Sequence, residues 1–429
     1  MSAALASKQL QVVGVDCDAD RVVALNEGRS PIDEPGVADL IAANRTRLTA
    51  TLDLASAVRE TDVTMIVVPT PSTPDGTFDT RAVLDVVTAV GRHLATLDRY
   101  HLVVVVSTLS PGSMDREVQP ALERAAGRRV GDTLGLCYNP EFIALGTVVA
   151  DLLRPDLVLI GESDEKAGKL LAGLYDAVCE NRPAVKRMNF VNAELTKLAV
   201  NTFVTTKISY ANMLADVCDR LAGADVDVVT AAVGGDSRIG AKYLKGATGY
   251  GGPCFPRDNA AFAALARSLG ARADLAVATD SLNRYQVERL ADLVVSSASG
   301  AVGILGLSYK AHTAVIEESH GLLLAQRLAR RGTRVVVYDP KAMESARQAL
   351  GDSVSYADSA DDCIARSSLV VVATPWPEFA AIPAQVFRRG PEPLVVVDCW
   401  RMLSSEVGQV ASVISIGRGA LLDLPLSTT

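Results

Sequence analysis

The sequence predicts an α/β protein with two Rossmann-like, doubly wound domains joined by a helical middle domain. Short, continuous apolar runs alternate with helical patterns in the first and last thirds of the chain, which is typical of parallel sheets. Between them lies a long segment at helical spacing without Pro or Gly. At 429 residues the chain is too long for one ordinary core. We therefore expect three domains, at residues 1–188, 189–296 and 297–429.

The strands expected in the first domain end in polar residues. Asp16 ends the run Gln11–Asp16, Pro69 and Thr70 follow Val63–Val68, and Ser107 and Thr108 follow Leu102–Val106. Leu157–Gly161 indicates a later strand of the same sheet. Because parallel sheets bind ligands at the carboxyl ends of their strands, these polar residues are candidate ligand contacts.

The start of the chain lacks a feature that a dinucleotide-binding fold normally has. Such a fold opens with a strand and G-x-G-x-x-G, whose backbone N–H groups meet the pyrophosphate. This chain instead begins with a segment, Met1–Ala6, that is typical of the helix after that loop. Asp16 then occupies the position where an acid binds the ribose hydroxyls. A start codon assigned too far downstream, a truncated chain or a real loss would each explain the pattern, and we expect weak dinucleotide binding by the chain as written.

The middle domain should be helical. One helix is expected from about Asn192 to Leu221, and further helix from Asp258 to about Val295 with a break near Gly270. The apolar stripe of the long helix predicts core packing and a dimerisation surface. The strands expected in the last domain are Ala301–Gly306, Thr333–Tyr338, Leu369–Ala373 and Leu394–Asp398.

Composition excludes several classes of function. The net charge of −8 argues against nucleic-acid and membrane-surface partners, which require basic patches. No apolar run reaches the ~18 residues of a membrane span. The seven cysteines contain no CxxC pair and the four histidines are dispersed, so we expect no metal site. Scattered cysteines in so long a chain indicate a reducing, cytoplasmic environment.

The segment Gly249–Asp258, which reads GYGGPCFPRD, carries the clearest chemical signal. Its three glycines allow close backbone approach to a ligand, and Cys254 with Asp258 provides a nucleophile beside a titratable group. A helix N-terminus or a nearby cation would be needed to raise the thiolate fraction of Cys254. The whole segment resembles the catalytic loop of the UDP-glucose/GDP-mannose dehydrogenase family.

The resemblance covers nearly the whole chain and implies a mechanism. Family members oxidise a sugar C6 alcohol to a carboxylate in two NAD-linked steps, through a thiohemiacetal and a thioester on a cysteine, here Cys254. The products serve polysaccharide biosynthesis. NAD is thus the expected cofactor and a nucleotide sugar, UDP-glucose or a related UDP-hexose, the expected substrate.

The resemblance also implies roles for other residues. Lys197 and Asn201, one helical turn apart, match the family's oxyanion-stabilising pair, and Asp258 would activate water or transfer a proton. Glu141, in the N-P-E-F element Asn139–Phe142, would act as an acid or base on the substrate, and Thr108 would hold the hydrolytic water.

The resemblance also implies contacts with the nucleotide sugar and with the cofactor. Nucleotide-sugar contacts are expected at Arg238, from a neighbouring subunit, and at Lys245, Tyr250, Gly251 and Lys310, alongside Glu141, Lys197 and Asn201. Cofactor contacts are expected at Asp16, Arg21, Thr70, Ser107 and Thr108.

The chain departs from the family pattern at several positions. Leu145 replaces a second Glu after N-P-E-F, and Glu317 replaces an Arg. The family's D-x-R reads Asp398-Cys399-Trp400-Arg401, so Arg401 could replace its Arg only after a one-residue backbone shift. Arg257 stands where Lys is usual, which is not an equivalent change. These differences indicate a divergent subgroup.

Three functions remain open at this point. The first is an active four-electron dehydrogenase, favoured by Cys254, Lys197, Asn201, Glu141 and Asp258. The second is a non-catalytic nucleotide-sugar-binding paralogue or inactive fragment, favoured by the departures and the missing glycine loop. A two-electron β-hydroxyacid dehydrogenase ranks lowest, because it has no use for the Cys254 loop or a second α/β domain.

Overall fold

A computed structural model describes residues 1–419. The expected third domain, 297–429, therefore has its last ten residues, 420–429, outside the described residues. The contacts within the chain define two compact units: residues 1–200 with 264–270, and residues 201–263 with the rest of the chain from 271. The long central helix passes from the first unit to the second after Val200.

The first unit alternates strands and helices as expected. Its strands are β1 Val12–Val15, β2 Leu48–Thr51, β3 Val63–Ile66, β4 His101–Val105, β5 Leu134–Tyr138, β6 Leu157–Glu162 and β7 Ala184–Met188. Its helices are α1 Ser2–Ser7, α2 Ala19–Asn26, α3 Val37–Ala43, α4 Leu54–Glu60, α5 Arg81–Leu94, α6 Gln119–Ala126, α7 Val148–Leu153 and α8 Glu165–Val178, followed by the first turns of α9 Phe190–Asp219.

The strands of this unit form two sheets rather than the single sheet that the apolar runs predicted. β1 pairs with β2 in a parallel two-stranded sheet, whereas β3, β4, β5, β6 and β7 form a five-stranded sheet in that order. In the described chain, no strand bonds to both β1 and β3. The five-stranded sheet is parallel except for the pair β5 and β6, which is antiparallel. The apolar runs gave no indication of that antiparallel pair.

The second unit contains the rest of α9 and a second α/β layer. Its further helices are α10 Val226–Gly235, the part of α11 Phe255–Ser268 up to Ala263, α12 Asp274–Ser297, α13 His320–Arg330, α14 Met343–Leu350, α15 Ala360–Ala365 and α16 Pro377–Ala380. Its strands are β8 Val302–Leu305, β9 Val335–Tyr338, β10 Ser355–Tyr356, β11 Leu369–Val372, β12 Val395–Asp398 and β13 Ser412–Ser415. They form one parallel sheet in the order β10-β9-β8-β11-β12-β13.

Burial explains why the second sheet was predictable. β8 and β11 are buried along their whole length, as are the first three residues of β9. Strands covered on both faces must be apolar at successive positions, which produces the continuous runs of the sequence. The runs therefore identified the centre of the sheet, and the half-exposed edge strands β10 and β13 gave no comparable signal.

No helix in residues 1–419 is long and apolar enough to cross a lipid bilayer. The same residues contain no group of three or more His, Cys, Asp or Glu side chains arranged to hold a metal ion.

Candidate active site

Cys254 lies directly before α11 and is exposed to solvent. Its backbone carbonyl accepts the N–H of Asp258 at 2.8 Å, which makes it the residue that opens the helix. The N-terminus of a helix carries partial positive charge and stabilises an anion. The fold thus provides the feature that a nucleophilic thiolate requires.

Asp258 is fully buried in the first turn of α11 and both of its carboxylate oxygens have partners. Oδ2 accepts the side-chain amide of Asn201 at 2.6 Å, and Oδ1 accepts the guanidinium of Arg257 at 2.9 Å. The pairing of Asn201 with Asp258 brings two predicted site residues together. Because the carboxylate fixes the orientation of the amide, Asp258 is well placed to aim Asn201.

Residues 245–254, here called the cysteine loop, are held by side chains from other elements. Asn212 on α9 accepts the backbone N–H of Ala247 at 2.8 Å and donates to the carbonyl of Thr248 at 3.2 Å. Asn212 is buried, so these bonds replace those that water would otherwise make. One amide therefore fixes two successive residues of the loop.

Two further side chains fix the next residues of the cysteine loop. Asn283 on α12 accepts the N–H of Tyr250 at 2.8 Å and donates to its carbonyl at 2.9 Å. His320, the first residue of α13, accepts the N–H of Gly249 through Nδ1 at 3.1 Å. Burial lowers the pKa of His320 to about 4, so the ring is neutral at neutral pH and can accept this bond.

Packing explains the glycines of the cysteine loop. A β-carbon at Gly249 would overlap the side chains of Asn283 and His320, and one at Gly251 would overlap the carbonyl of Glu318. Only glycine permits so close an approach of backbone to its supports. The sequence analysis related these glycines to ligand approach; the structure shows that they also serve internal packing.

The predicted nucleotide-sugar contacts of the second unit differ in exposure. Tyr250 is buried, Lys245 is exposed, and Lys310 is half-buried after β8. Arg238 forms an exposed pair with Asp236 at the end of α10, with Nη2 to Oδ2 at 2.6 Å. In a single chain, Arg238 thus lies at the surface of the second unit.

In the first unit, Lys197 contacts the N-P-E-F element. Its ammonium donates to the backbone carbonyl of Glu141 at 2.6 Å and lies 4.5 Å from the centre of the Phe142 ring. Burial raises the pKa of Glu141 to about 6, although the positive charges of the N-terminal amine and of Lys197 oppose the rise. The Tyr175 hydroxyl lies 3.4 Å from Oε1 of Glu141 and donates its proton to the closer side-chain oxygen of Asn139. A carboxyl group with a pKa near neutrality is suited to acid–base catalysis.

The loops after β3 and β4 are joined by the hydroxyls that were predicted to contact the cofactor. Ser107 Oγ donates to the carbonyl of Val68 at 2.6 Å and accepts its N–H at 2.9 Å. Thr70 Oγ1 donates to the carbonyl of Thr108 at 2.8 Å. Ser107 and Thr70 thus hold the loop that presents Thr108, which is half-buried.

Glu194 supports the same loop, and the sequence analysis missed it. It is fully buried in the first turns of α9, and its carboxylate accepts the N–H of Gly112 at 2.6 Å and of Met114 at 2.8 Å. Burial raises its pKa to about 7 despite these bonds. Its place one turn before Lys197 was visible in the sequence, but its partners were not.

Residues at the carboxyl end of β1 fit the ribose of a dinucleotide. The Asp16 carboxylate accepts the N–H of Asp18 at 3.0 Å and lies 3.6 Å from the Arg21 guanidinium. Its remaining lone pairs can accept bonds from two neighbouring hydroxyls. Thr70 and Ser107, which follow β3 and β4, also lie at the carboxyl ends of parallel strands. The acceptor oxygens of Asp16 thus suit the ribose of NAD, whereas the hydroxyl protons of Ser107 and Thr70 are bonded to backbone carbonyls.

Comparison with known proteins assigns the family. Models of the UDP-glucose/GDP-mannose dehydrogenase family match residues 1–179 as the NAD binding domain, 191–285 as the central domain and 303–405 as the UDP binding domain. This chain belongs to the UDP-glucose/GDP-mannose dehydrogenase family. It is an NAD-dependent nucleotide-sugar dehydrogenase, and the predicted resemblance, fold class and cofactor are confirmed.

Individual members of the UDP-glucose/GDP-mannose dehydrogenase family are similar over most of the chain. The UDP-glucose 6-dehydrogenase AglM of Haloferax volcanii is 41% identical over 86% of this chain and 87% of its own. A GDP-mannose 6-dehydrogenase of Pseudomonas putida is 33% identical over 78% of this chain and 76% of its own. The structure of a UDP-glucose dehydrogenase from Pyrobaculum islandicum superposes with a TM-score of 0.87 at 36% identity, covering 97% of this chain and 94% of its own.

The structure locates the departures from the family pattern. Leu145 is half-buried after the N-P-E-F element. Glu317 has an exposed side chain, but its backbone carbonyl accepts the N–H of Gly252 at 2.9 Å, a bond that does not depend on side-chain identity. Trp400 donates its indole N–H to the carbonyl of Ala373 at 2.9 Å. Of the three replacements, only Trp400 makes a side-chain hydrogen bond of its own within residues 1–419.

Proposed function

We propose that this protein oxidises the C6 hydroxyl of UDP-glucose to the carboxylate of UDP-glucuronate. The balanced reaction consumes one alcohol, two NAD⁺ and one water, and gives one carboxylate, two NADH and three protons. It proceeds through an aldehyde, a thiohemiacetal on Cys254 and a thioester on the same sulfur. When bound, NAD accepts the hydride of each oxidation step.

The exposed thiol of Cys254, at the N-terminus of α11 in a fixed loop, is the observation that carries the proposal. Its thiolate adds to the C6 aldehyde, and water later displaces the same sulfur from the thioester. A covalent intermediate of this kind retains the aldehyde between the two oxidations. A two-electron dehydrogenase would have no use for it.

The other candidate side chains stabilise charge, transfer protons and orient water. Lys197 and Asn201, on successive turns of α9, stabilise negative charge on the C6 oxygen, with Asp258 holding the Asn201 amide. Glu141 transfers protons, since its pKa of about 6 allows both protonation states near neutrality. Thr108 orients the water that hydrolyses the thioester.

Two findings support UDP-glucose among nucleotide sugars. The match of residues 303–405 to a UDP binding domain suits a uridine nucleotide, and both UDP-glucose enzymes described above resemble this chain more than the GDP-mannose enzyme does by identity. Nucleotide-sugar contacts would come from Lys245, Tyr250, Gly251 and Lys310.

A homodimer is supported by an exposed apolar stripe on α9. Phe203, Tyr210 and Val217, spaced seven residues apart, are 63%, 44% and 54% exposed. Residues seven apart lie on one face of a helix, so the three form a continuous strip. A second copy would cover it, and the exposed Arg238 would then serve the neighbour's site.

A catalytic thiolate must stay reduced, so we place the enzyme in the cytoplasm.

The test is NADH production by purified protein against UDP-, GDP- and TDP-sugars. Turnover of UDP-glucose with two NADH per sugar is expected. A yield of one NADH per sugar would indicate a two-electron enzyme. Calorimetric binding of UDP-glucose without any NADH formation would indicate a non-catalytic binding protein and contradict the proposal.

A further inference from the structure

Arg401 is buried in the second unit and its guanidinium is fully hydrogen-bonded. Nε and Nη2 donate to the two carboxylate oxygens of Asp227 at 2.7 and 2.8 Å. Nη2 also donates to the carbonyl of Gly246 at 2.7 Å, and Nη1 donates to those of Ile416 at 2.6 Å and Cys399 at 3.4 Å. A guanidinium has five N–H donors, and these contacts use all five.

The contacts of the guanidinium decide whether Arg401, at the end of the Asp398–Arg401 segment, is free to bind a ligand. With no exposed side-chain surface and no remaining donor, the Arg401 guanidinium is not available to bind a substrate. Its backbone has a φ of +54°, a left-handed conformation that is unfavourable for a residue with a β-carbon. Such conformations persist where the surrounding contacts determine them. The side chain is therefore directed inward, towards the protein's own backbone.

The Gly246 carbonyl connects Arg401 to the cysteine loop. Gly246 packs so closely on α9 that a β-carbon there would overlap the carbonyl of Ala211. It follows Lys245 directly and precedes the residues held by Asn212. Arg401 thus fixes the point at which the chain enters the loop.

Asp227 anchors the other side of the guanidinium. It lies in the first turn of α10, whose start is joined to the chain after β13 by a bond of 2.9 Å from the Val226 N–H to the Gly417 carbonyl. Hydrogen bonding by Arg401 lowers the pKa of Asp227, so the ion pair persists at neutral pH. A bidentate pair of this kind is geometrically specific.

We propose that Arg401 is a positioning residue for the nucleotide-sugar site, which fixes the entry of the cysteine loop through Gly246 and Asp227. The proposal rests on the proposed function, because it assumes that this loop binds the nucleotide sugar. Arg401 itself makes no contact with the substrate. Loss of its bonds lets the loop entry move, and the affinity for the nucleotide sugar falls because the free protein must then order the loop on binding.

The experiment compares Arg401→Lys and Asp227→Asn, singly and together, with Arg418→Ala as the matched control. Arg418 pairs with Asp225 at 2.9 Å beside the same junction and is half-exposed. We expect each of the two single variants to raise the KM for UDP-glucose at least tenfold, with kcat and the KM for NAD changed less than threefold. The KM of the double variant for UDP-glucose should not exceed that of Arg401→Lys alone. The control should leave all three constants unchanged.

A second readout does not need turnover. Alkylation of Cys254 by iodoacetamide without substrate should change in rate by at least threefold in both single variants and stay constant in Arg418→Ala. If Arg401→Lys does not fold, Asp227→Asn carries the same test, because Asp227 is partly exposed.

Two results would overturn the inference. A raised KM for UDP-glucose in Arg401→Lys with a normal KM in Asp227→Asn would show that Arg401 acts without Asp227, and would contradict the positioning role. Unchanged kinetics and alkylation, with only a lower thermal midpoint, would indicate a purely structural ion pair. If the wild type forms no NADH, the proposed function fails, and alkylation together with calorimetric binding of UDP-glucose still tests the role of Arg401.

Discussion

Cys254 combines exposure with a helix N-terminus, and its replacement is the most direct test of the covalent step. We expect Cys254→Ser to lower kcat by at least 10³-fold, because a serine hydroxyl is not ionised at neutral pH and is a poor nucleophile without an adjacent base. Calorimetric binding of UDP-glucose should stay within threefold of wild type. Cys17→Ser, at an exposed cysteine of the first unit, is the control. Full activity of Cys254→Ser would eliminate the thioester.

The raised pKa of Glu141 predicts how the reaction depends on pH. Its pKa is raised to about 6 by burial, so its carboxylate form disappears as the pH falls through 6. If the carboxylate acts as a base, kcat should decline below that pH. We expect Glu141→Gln to lower kcat by ~10²–10⁴-fold and to remove this acidic limb. Glu165→Gln, at an exposed position in the same unit, is the control.

A Glu141→Gln variant that keeps both the rate and the acidic limb would assign the titration to another group. Glu194, whose pKa is raised to about 7, would then be the group to test next.

At the scale of elements, the strands that sequence could predict are those with uninterrupted apolar runs. β4 and β11 are buried throughout and were placed within one or two residues. β5 is equally buried but was missed, because Gly135 and Cys137 interrupt its run of strand-forming residues. β2 and β7 are largely half-exposed or exposed, so their sequences lack a continuous run. A continuous apolar run indicates a segment that is buried on both faces. It indicates a strand only indirectly.

The contact between α13 and the cysteine loop predicts a pH effect on stability. His320 has a pKa of about 4 when folded and about 6.5 when unfolded, so the unfolded chain binds more protons between these values. Stability from this group is complete above pH 6.5 and is lost as the pH falls to about 4, by roughly 3 kcal/mol at 1.36 kcal/mol per pKa unit. Protonation would also remove the acceptor that holds Gly249.

Urea unfolding of wild type and His320→Gln at pH 7.5 and pH 4.5 measures this effect. A glutamine oxygen can accept the Gly249 N–H but does not titrate, so the variant should lose less stability between the two pH values. His93→Gln is the control. Equal losses in His320→Gln and wild type would show that His320 makes no such contribution.

The candidate site was predictable in its reacting groups and unpredictable in its supports. Cys254, Lys197 and Glu141 could be named as candidates because short motifs carry them, and their catalytic roles stay a prediction. His320, Asn283 and Arg401 were not found as supports, because each lies at least 29 positions from Cys254 and bonds to the backbone of the loop. A hydrogen bond to the backbone does not depend on which residue supplies that backbone. The sequence therefore shows such a bond only where a glycine is needed for the close approach.

At the scale of the whole molecule, the apolar stripe on α9 and the exposed Arg238 predict an active site shared between subunits. Cys254→Ser and Arg238→Ala homodimers should each be inactive. If Arg238 acts on the neighbouring subunit, a mixed dimer contains one site with both residues intact and recovers part of the activity. Mixed dimers that stay inactive, or a fully active monomer by light scattering, would contradict this arrangement.

Phe203→Glu tests the stripe itself, because a charge at its most exposed residue should disfavour association. Phe203 is 63% exposed in the single chain, so the variant should fold, and sedimentation should show dissociation at concentrations where wild type is dimeric. Val228→Glu, at an exposed apolar position on α10, is the control for a general effect of added charge.

The support of the cysteine loop limits how this protein can be divided. The loop belongs by family to the central domain, yet His320 and Arg401 lie in or beside the UDP binding domain, within one compact unit. A chimera that joined this central domain to another relative's UDP binding domain would keep Cys254 and replace the segments that carry His320 and Arg401. Exchange of nucleotide specificity by domain grafting therefore has to carry residues 201–263 and 271–419 together as one piece.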